Sequence, residues 1–308
     1  MVYTVTLNPA LDYVMRLSAP LEIGETNRAE GQPLQCGGKG INVSLVLREL
    51  EVPSVALGFV AGQTGQWLTT MLAEKGLKQE MIPLPQGQTR INVKLKGGQE
   101  TEINGAGPCI TPEALAQLEA RLAALTEQDA LVLAGSIPAG MPKDSYRRLM
   151  EPLAARGGPC VVDATGQTLL ETLPCRPLLV KPNRAELAEL CGHALPDDAA
   201  IAQAAAQLQE KGARNVLVSL GGDGALLRDE AGDVYRMAAP AGKLVNSVGA
   251  GDSMVAGFLA AWTQGFSSAE ALRLGSAAGG ATAFSQDLAR KEEIQAVLKL
   301  LKIPEKAN

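Results

Sequence analysis

Residues 131–135 read LVLAG and residues 215–220 read NVLVSL, and these two short apolar runs decide the fold that the sequence predicts. A strand with one face in water alternates apolar and polar residues, whereas these runs are apolar at successive positions. Continuous apolar strands are typical of parallel sheets whose two faces are both covered by helices. We therefore expect a layered α/β fold with a parallel sheet at its centre.

Outward from these runs, short β-rich segments alternate with longer helical ones. This βαβα order predicts a three-layer α/β/α sandwich with a mostly parallel central sheet and right-handed crossovers. Strands are predicted at Tyr3–Leu7, Ser54–Val60, Ala130–Ala134, Cys160–Asp163, Leu178–Val180 and Asn215–Leu220. Helices are predicted at Ile41–Leu50, Thr64–Lys75, Ala114–Leu125, Lys143–Arg156, Arg184–Leu190, Ala199–Lys211, Asp252–Thr263, Ser268–Phe284 and Lys291–Leu300.

Two segments, 11–36 and 87–107, lack helical periodicity. The second contains TRINVKLKGGQETEING (89–105), in which two alternating, strand-like pieces flank Gly97 and Gly98 as in a β-hairpin. We expect both segments to form one small β-sheet that projects from the sandwich as a lid. No Pro- or Ser-rich linker separates them from the rest, so residues 1–308 are interpreted as a single domain.

The composition disfavours several classes of protein. A net charge of −5, with only four Phe, two Trp and four Tyr, does not suit a nucleic-acid-binding protein. No run of about 20 mostly apolar residues predicts a membrane span. Five cysteines without a CxxC spacing and one histidine, His193, disfavour a disulfide framework, a zinc site and a Ser-His-Asp triad. Because no signal peptide is recognisable, we expect a cytoplasmic protein.

A first glycine cluster, Gly37-Gly38-Lys39-Gly40, directly precedes a predicted helix. Glycines at a helix start let backbone N–H groups face an anion, and Lys39 adds positive charge. The spacing differs from the phosphate-binding GxxxxGK[ST] loop, because Gly40 follows the lysine. The alternative interpretation is a tight turn into the helix.

A second cluster, NSVGAGDS at 246–253, leads into another predicted helix. It is not the GxGxxG pattern of dinucleotide-binding proteins, because position 254 is Met. The turn that begins at Gly249 would place the N–H groups of Ala250, Gly251 and Asp252 at the helix N-terminus, beside the carboxylate of Asp252. This combination suits phosphoryl transfer: Asp252 would accept the hydroxyl proton, and the backbone would hold the charge on the phosphoryl group. The alternative is that Asp252 only caps the helix.

Together, GGKGIN (37–42) and NSVGAGDSMVAGF (246–258) resemble the two signatures of the ribokinase-like carbohydrate kinases, in their phosphofructokinase B branch. Five further stretches are similar to that branch in the same order: VTLNPALDY (5–13), QTRINVKL (88–95), LAGSIPAG (133–140), LVKPNRAEL (179–187) and VSLGGDGAL (218–226). The resemblance covers essentially the whole chain and is strongest to bacterial 1-phosphofructokinases, followed by tagatose-6-phosphate kinases. It implies a β lid over the sugar, ATP with Mg²⁺, and an aspartate base.

The resemblance also implies which residues bind the acceptor. Asp12 would hold sugar hydroxyl groups, and the pocket would be lined by Gly37, Gly38, Lys39 and Asn42. Candidates for the acceptor's phosphate group, which Arg can bind through two hydrogen bonds, are Arg90, Asn92, Lys39 and Ser136. The alternatives are that Asp12 is a turn residue, that Arg90 is a solvated strand charge and that Ser136 caps a strand end.

On the nucleotide side, the resemblance implies that Lys181, Asn183 and Glu186 serve the ATP phosphates and Mg²⁺. Glu186 would act mainly through water, since Mg²⁺ keeps several waters, or is simply an exposed helix acid. The nucleotide would lie along Ser219, Gly221, Gly222, Gly224 and Ser247, with Ala278 and Thr282 beside the adenine. Asp163, at a strand end, either lies near the phosphates or caps a helix.

The expected function is transfer of a phosphoryl group from ATP to the 6-hydroxyl group of D-fructose 1-phosphate, with Asp252 as the base. Tagatose 6-phosphate and fructose 6-phosphate are alternative acceptors, because small pocket changes separate them from fructose 1-phosphate. A catalytically silent sensor of sugar phosphates or nucleotides is disfavoured, since it need not keep a base. We expect no nucleic-acid or membrane partner, and a homodimer formed through the lid.

Overall fold

The apolar runs form the centre of a large sheet in the computed structural model of the protein, which describes residues 1–31, 34–98 and 101–306. The strands are β1 Val2–Thr6, β2 Ala10–Arg16, β3 Leu34–Gly37, β4 Ser54–Ala61, β5 Gln79–Leu84, β6 Arg90–Lys96, β7 Thr101–Asn104, β8 Ala130–Ala134, β9 Cys160–Asp163, β10 Leu179–Val180, β11 Asn215–Ser219, β12 Ala225–Arg228 and β13 Val234–Met237. The nine-stranded sheet has the order β13-β12-β11-β10-β9-β8-β1-β4-β5. Its pairings are parallel except β11–β12 and β12–β13.

Each strand predicted from the sequence is found, and its ends agree with the prediction to within one residue. Three strands of this sheet were absent from the prediction: β5, β12 and β13. They lie at or next to the two edges of the sheet. The edge strands β5 and β13 are only partly buried and lack the continuous apolar run that marks the central strands. Strand β12 lies one position inside the edge and has a buried apolar run of only three residues, Ala225–Leu227.

Within the described residues, helices cover both faces of the large sheet. They are α1 Lys39–Glu49, α2 Gly62–Glu74, α3 Pro112–Ala123, α4 Ser145–Ala154, α5 Gly166–Thr172, α6 Arg184–Cys191, α7 Asp198–Glu210, α8 Ala250–Thr263, α9 Ser268–Phe284 and α10 Lys291–Leu300. Apolar side chains of α3 to α7 form one core and those of α1, α8, α9 and α10 another. Strand β8 contributes Leu131 and Leu133 to the first core and Val132 to the second. The predicted three-layer sandwich is therefore confirmed.

Local signals define several helix ends. Thr111 caps α3 by accepting a hydrogen bond from the Ala114 N–H at 3.2 Å, with Pro112 in the first turn. Helix α6 ends at Gly192 in the left-handed conformation. The predicted helices agree with the observed ones to within two residues at each end, and the short α5 was not predicted. None of the helices in the described ranges is long and apolar enough to cross a bilayer.

The two segments predicted to form a lid build a four-stranded sheet of order β3-β2-β6-β7. Strands β6 and β7 pair antiparallel, which confirms the predicted hairpin, and β2 pairs with β6 in parallel. Positions 32, 33, 99 and 100 of the predicted lid segments, and 307–308 of the predicted domain, lie outside the described residues. The single-domain interpretation stays a prediction.

The carboxyl ends of five parallel strands, β1, β8, β9, β10 and β11, meet at one edge of the large sheet. Thr6, Ala134, Asp163, Lys181 and Ser219 end or follow these strands and line a common cavity with residues of the small sheet. Ligand sites of open parallel sheets lie at this edge.

Candidate active site

The cavity between the two sheets has a volume of about 560 Å³ and is lined by most of the predicted catalytic and binding residues. Fourteen of them line it: Asp12, Gly38, Lys39, Asn42, Arg90, Asn92, Ser136, Lys181, Asn183, Glu186, Ser219, Gly249, Gly251 and Asp252. They come from distant parts of the chain and from both sheets, so the fold assembles the site.

Asp252 lies in the first turn of α8 and is buried. Its Oδ2 accepts a hydrogen bond from Asn42 Nδ2 at 2.8 Å, which joins α8 to α1. Burial, followed by the nearby carboxylate of Asp163, raises the pKa of Asp252 from 3.8 to about 6, while Lys39 opposes the shift. A carboxylate with this proton affinity is ionised at neutral pH and suited to act as a general base.

The turn before α8 can hold an anion. Gly249 caps the helix with a φ of +80°, in the left-handed region that favours glycine. The N–H groups that follow it have no acceptor within the helix, and they lie at the positive end of the helix dipole. A side chain at Gly251 would begin 3.0 Å from Lys181 Nζ, so that ammonium group stands beside the turn.

Asp163 holds two lysines next to this turn. Its Oδ1 lies 3.3 Å from Lys39 Nζ and 3.5 Å from Lys181 Nζ, and the carboxylate is almost fully buried. Burial alone would lower the pKa of Lys39, but Asp163 and Asp252 outweigh it and the pKa lies above its ordinary value. Asp163 thus holds both lysine side chains in place, and Lys39 can face a phosphate group as a cation.

Asn183 and Glu186 form a capping box at the start of α6. The Glu186 N–H donates to Asn183 Oδ1 and the Asn183 N–H donates to Glu186 Oε2, both at 2.8 Å. Asn183 also forms a β-bridge with Ser219, so the ends of β10 and β11 stand together at the cavity. The side of the site predicted for the nucleotide is thus built from these adjacent strand ends.

The small sheet supplies the opposite wall of the cavity. Asp12 and Asn92 are register partners on β2 and β6, and Asn92 Nδ2 donates to Asp12 Oδ1 at 2.9 Å. Lys94 Nζ lies 3.6 Å from Asp12 Oδ2 and 2.8 Å from Glu102 Oε1. Arg90 uses Nε and Nη1 on the backbone oxygens of residues 8 and 105, at 3.1 and 3.3 Å. The wall formed by the small sheet therefore carries the acceptor oxygens of Asp12 together with two basic side chains, Arg90 and Lys94.

Eight predicted residues do not line the cavity: Gly37, Ala250, Gly221, Gly222, Gly224, Ser247, Ala278 and Thr282. Ala278 and Thr282 are fully buried in α9, where Thr282 Oγ1 bonds to Ser253 Oγ at 2.7 Å. Gly221 and Gly222 are exposed in a short 3₁₀ turn after β11. Nucleotide contact stays a prediction for Gly221, Gly222, Gly224, Ser247, Ala278 and Thr282. The predicted roles of Gly37 in the acceptor pocket and of Ala250 in charge stabilisation also stay predictions.

Several cavity residues were missed or left open by sequence reasoning. Lys94 and Glu102 alternate with apolar residues on the small sheet, so the period-2 pattern could have placed them on the Asp12 face. The sequence does not decide between two roles for Asp163, and its contacts with Lys39 and Lys181 place it in the cavity. His193, by contrast, is exposed and lies outside the cavity.

The chain matches known proteins over nearly its whole length. The sequence pattern of the pfkB family carbohydrate kinases matches residues 5–294. The chain is 45% identical over 304 residues to 1-phosphofructokinase of Bacillus subtilis, covering 98% of this chain and 99% of the relative. It is 35% identical over 290 residues to D-tagatose-1-phosphate kinase of Bacillus licheniformis, covering 94% of each chain.

Among solved structures, phosphofructokinase-2 of Escherichia coli in complex with fructose-6-phosphate superposes with a TM-score of 0.91 at 28% identity, covering 97% of this chain and 98% of that one. The relatives, the matching pattern and the shared fold all agree with the resemblance seen in the two glycine motifs. The chain therefore belongs to the pfkB family of carbohydrate kinases, enzymes that transfer a phosphoryl group to an alcohol group.

Proposed function

We propose that the protein transfers the γ-phosphoryl group of ATP to the 6-hydroxyl group of D-fructose 1-phosphate, giving fructose 1,6-bisphosphate and ADP. The observation that carries the proposal is the buried Asp252, with its raised pKa, beside an anion-holding turn and two lysines. Phosphoryl transfer to a hydroxyl group needs a base and charge stabilisation in this arrangement. The 45% identity to a 1-phosphofructokinase supports the choice of acceptor.

In the proposed reaction, the carboxylate of Asp252 accepts the proton of the 6-hydroxyl group. The hydroxyl oxygen bonds to the γ-phosphorus, and the bond from that phosphorus to the β–γ bridging oxygen breaks, so that ADP leaves. The N–H groups of the Gly249–Asp252 turn, with Lys39 and Lys181, would offset the negative charge of the phosphoryl group. The small sheet would close over the acceptor and exclude water, which otherwise competes for the phosphoryl group.

At the acceptor end, we propose that Arg90 and Ser136 bind the phosphate group and that Asp12 and Asn92 bind hydroxyl groups. Arg90 keeps donors available because a guanidinium group carries five N–H bonds. We assign Lys39, whose ammonium group Asp163 holds in place, to the phosphoryl group in transfer and not to the phosphate group of the acceptor. Hydroxyl groups suit Asp12, because an ionised carboxylate accepts hydrogen bonds and repels phosphate.

On the nucleotide side, we propose that the ATP phosphates lie beside Lys181, Asn183 and Ser219, with Mg²⁺ near Glu186. Asp163 Oδ2 is buried and has no hydrogen-bond partner among the described residues, and Glu186 lines the same cavity. The described ranges hold no cluster of three metal-ligating side chains. Two separate carboxylates fit Mg²⁺, which binds through few protein oxygens, water and phosphate, and which would neutralise the charge of the ATP phosphates.

An assay of ADP release tests the acceptor. Fructose 1-phosphate is compared with tagatose 1-phosphate, fructose 6-phosphate, tagatose 6-phosphate and free fructose. We expect the highest kcat/KM with fructose 1-phosphate and no more than slow turnover of free fructose. A preference for a 6-phosphate would contradict the proposed acceptor while leaving the kinase chemistry intact. ATP and sugar phosphate binding without ADP release would favour the sensor instead.

We also propose that two copies of the chain pair through the outer face of the small sheet. The residues that alternate with Asp12, Asn92 and Lys94 are apolar and do not line the cavity. Leu11 is buried against α1 and α2, whereas the others are partly or largely exposed. Among them Ile91 is 42% and Ile103 is 59% exposed, and Tyr13, Val93 and Leu95 are half-buried. Contiguous exposed apolar surface on one sheet face is typical of a protein interface. A two-fold symmetric dimer would bring this same face of two copies together and bury its apolar side chains.

A further inference from the structure

The side chain of Asn8, between β1 and β2, borders the cavity and is only partly bonded. The residue is 7% exposed. Its Nδ2 donates to the backbone oxygen of Ala106 at 3.0 Å, and its own backbone oxygen accepts from Arg90 Nε at 3.1 Å. Its Oδ1 is buried and has no hydrogen-bond partner within the described residues. An unpaired buried acceptor is costly and therefore points to a missing donor.

The orientation of this amide is determined by its surroundings. The oxygen of Ala106 can only accept a hydrogen bond, so the NH₂ group of Asn8 must face it and Oδ1 must be the unpaired atom. Gly107, next to Ala106, has a φ of +86°, and a side chain there would overlap Asn8 Oδ1. The backbone is thus shaped around this oxygen.

The neighbouring groups favour a hydroxyl group over a phosphate group as the partner of Asn8 Oδ1. Asn92 Oδ1 on β6 is also buried without a partner among the described residues, and Asp12 lies beside it. These atoms are all acceptors. An ionised phosphate offers no hydrogen to them, whereas a sugar hydroxyl group does.

We propose that Asn8 is a substrate-binding residue whose Oδ1 accepts a hydrogen bond from one sugar hydroxyl group of the acceptor. The proposal rests on the proposed function, because it requires a sugar phosphate in this cavity. The backbone oxygen of the same residue holds Arg90, the cation proposed for the phosphate group. Asn8 would thereby set the position of a hydroxyl group relative to the phosphate group and contribute to the choice of sugar.

The test combines Asn8→Ala with fructose 1-phosphate analogues that lack one hydroxyl group at a time, other than the 6-hydroxyl. In the wild type, loss of the hydroxyl group that meets Asn8 is expected to lower kcat/KM by about 10- to 1,000-fold. In Asn8→Ala the same analogue should lose less than about threefold relative to fructose 1-phosphate, while KM for ATP stays within about twofold of the wild type. A merely structural role of Asn8 would not change the penalty of one analogue selectively.

Asn215→Ala is the matched control. Asn215 is equally buried, but its Nδ2 donates to Leu178 O and its Oδ1 accepts from the Glu230 N–H, far from the cavity. It should lose thermal stability and keep the full penalty for every analogue. If Asn8→Ala does not fold, Asn8→Ser takes its place in the same comparison of analogues.

Equal penalties in the wild type and the Asn8 variant for all analogues would overturn the assignment of Asn8 alone. Absence of phosphoryl transfer by the wild type to any of the ketose phosphates would overturn both this inference and the proposed function.

Discussion

Two carboxylates in one cavity receive different roles from their neighbours. Asp163 faces Lys39 and Lys181, which hold its charge in place. Burial, followed by the nearby carboxylate of Asp163, raises the pKa of Asp252, whereas the hydrogen bond from the amide of Asn42 opposes that shift. These surroundings suit Asp252 to the proposed role of base and Asp163 to the positioning of the two lysines.

Asp252→Asn is expected to lower kcat by about 10²- to 10⁴-fold, because the variant cannot accept the hydroxyl proton. The amide oxygen of the variant can still accept the hydrogen bond from Asn42, so the fold should persist, as circular dichroism would show. Asp229→Asn is the control: Asp229 is also buried, but its Oδ1 accepts from the N–H groups of residues 231 and 233 in a remote turn. Turnover of Asp252→Asn close to that of the wild type would refute the role of base.

The pH dependence of kcat/KM should report the titration of Asp252. Because the pKa of Asp252 is about 6, kcat/KM for the sugar phosphate is expected to fall about tenfold per pH unit below pH 6. Initial rates of ADP release between pH 4.5 and pH 8 would reveal this limb. A flat profile across that range would contradict the assignment.

The raised pKa of Asp252 also makes the free energy of unfolding depend on pH. The folded state holds the Asp252 proton more tightly than the unfolded state, so the unfavourable contribution of this side chain disappears as the pH falls from above 6 towards 4. Replacement by Asn removes that dependence. Urea unfolding should therefore show a larger gain in stability for Asp252→Asn over the wild type at pH 8 than at pH 4.5. An equal difference at both pH values would argue against the raised pKa.

At the scale of elements, helix α6 serves two purposes at its first turn. Glu186 completes the capping box and lies in the cavity, and these roles can be separated. Glu186→Gln keeps an oxygen that accepts the Asn183 N–H but loses the charge, so the free energy of unfolding should change by less than about 0.5 kcal/mol. The Mg²⁺ concentration for half-maximal activity should rise several-fold in a titration of ADP release.

Glu186→Ala is the matched comparison for this helix. It removes both the cap and the charge, and should additionally cost about 1 kcal/mol of stability. Identical Mg²⁺ dependence in Glu186→Gln and the wild type would assign Glu186 to capping alone.

The cap of α3 has no link to the cavity and gives a purely structural prediction. Thr111→Ala removes the acceptor of the Ala114 N–H and should lower the free energy of unfolding by about 1 kcal/mol, measured by urea denaturation. The kcat should be unchanged, since Thr111 does not line the cavity. A loss of activity in this variant would mean that α3 is coupled to the site.

The elements predicted correctly are those whose pattern is local. Central strands such as β8 and β11 carry unbroken apolar runs, and α3 carries its cap and proline in the sequence. The edge strand β13 has only alternate buried residues and gives a weak signal. The parallel pairing of β2 with β6 joins segments 80 residues apart, and no local pattern specifies such a register.

The contrast between local patterns and long-range contacts also applies to the residues of the candidate site. Asp252, Lys39 and Asn42 belong to glycine-rich motifs and could be identified in sequence. The contact between Asn42 and Asp252 links positions 210 residues apart, and Asp163 meets Lys39 across 124. Asn8 gave no signal of its own, because an unpaired oxygen exists only in the folded chain.

For the whole molecule, the outer face of the small sheet predicts a dimer. Light scattering should give a mass of about 64 kDa, twice that of the 32.1 kDa chain. Ile103→Arg places a charge on this face and should yield monomers. Phe266→Arg is the control, because Phe266 is 49% exposed but follows the far end of α8. A monomeric wild type would contradict the proposed interface.

Asp12, Arg90 and Asn92, which we propose bind the acceptor, stand on the small sheet, whereas Asp252, Lys181 and Asp163, proposed to serve the transfer, belong to the large sandwich. Substitutions on the small sheet can therefore alter which sugar is accepted without disturbing the groups that carry out the transfer. Such a modular layout offers evolution, or a protein engineer, a way to diversify substrate range by changing two strands while the chemistry is inherited intact.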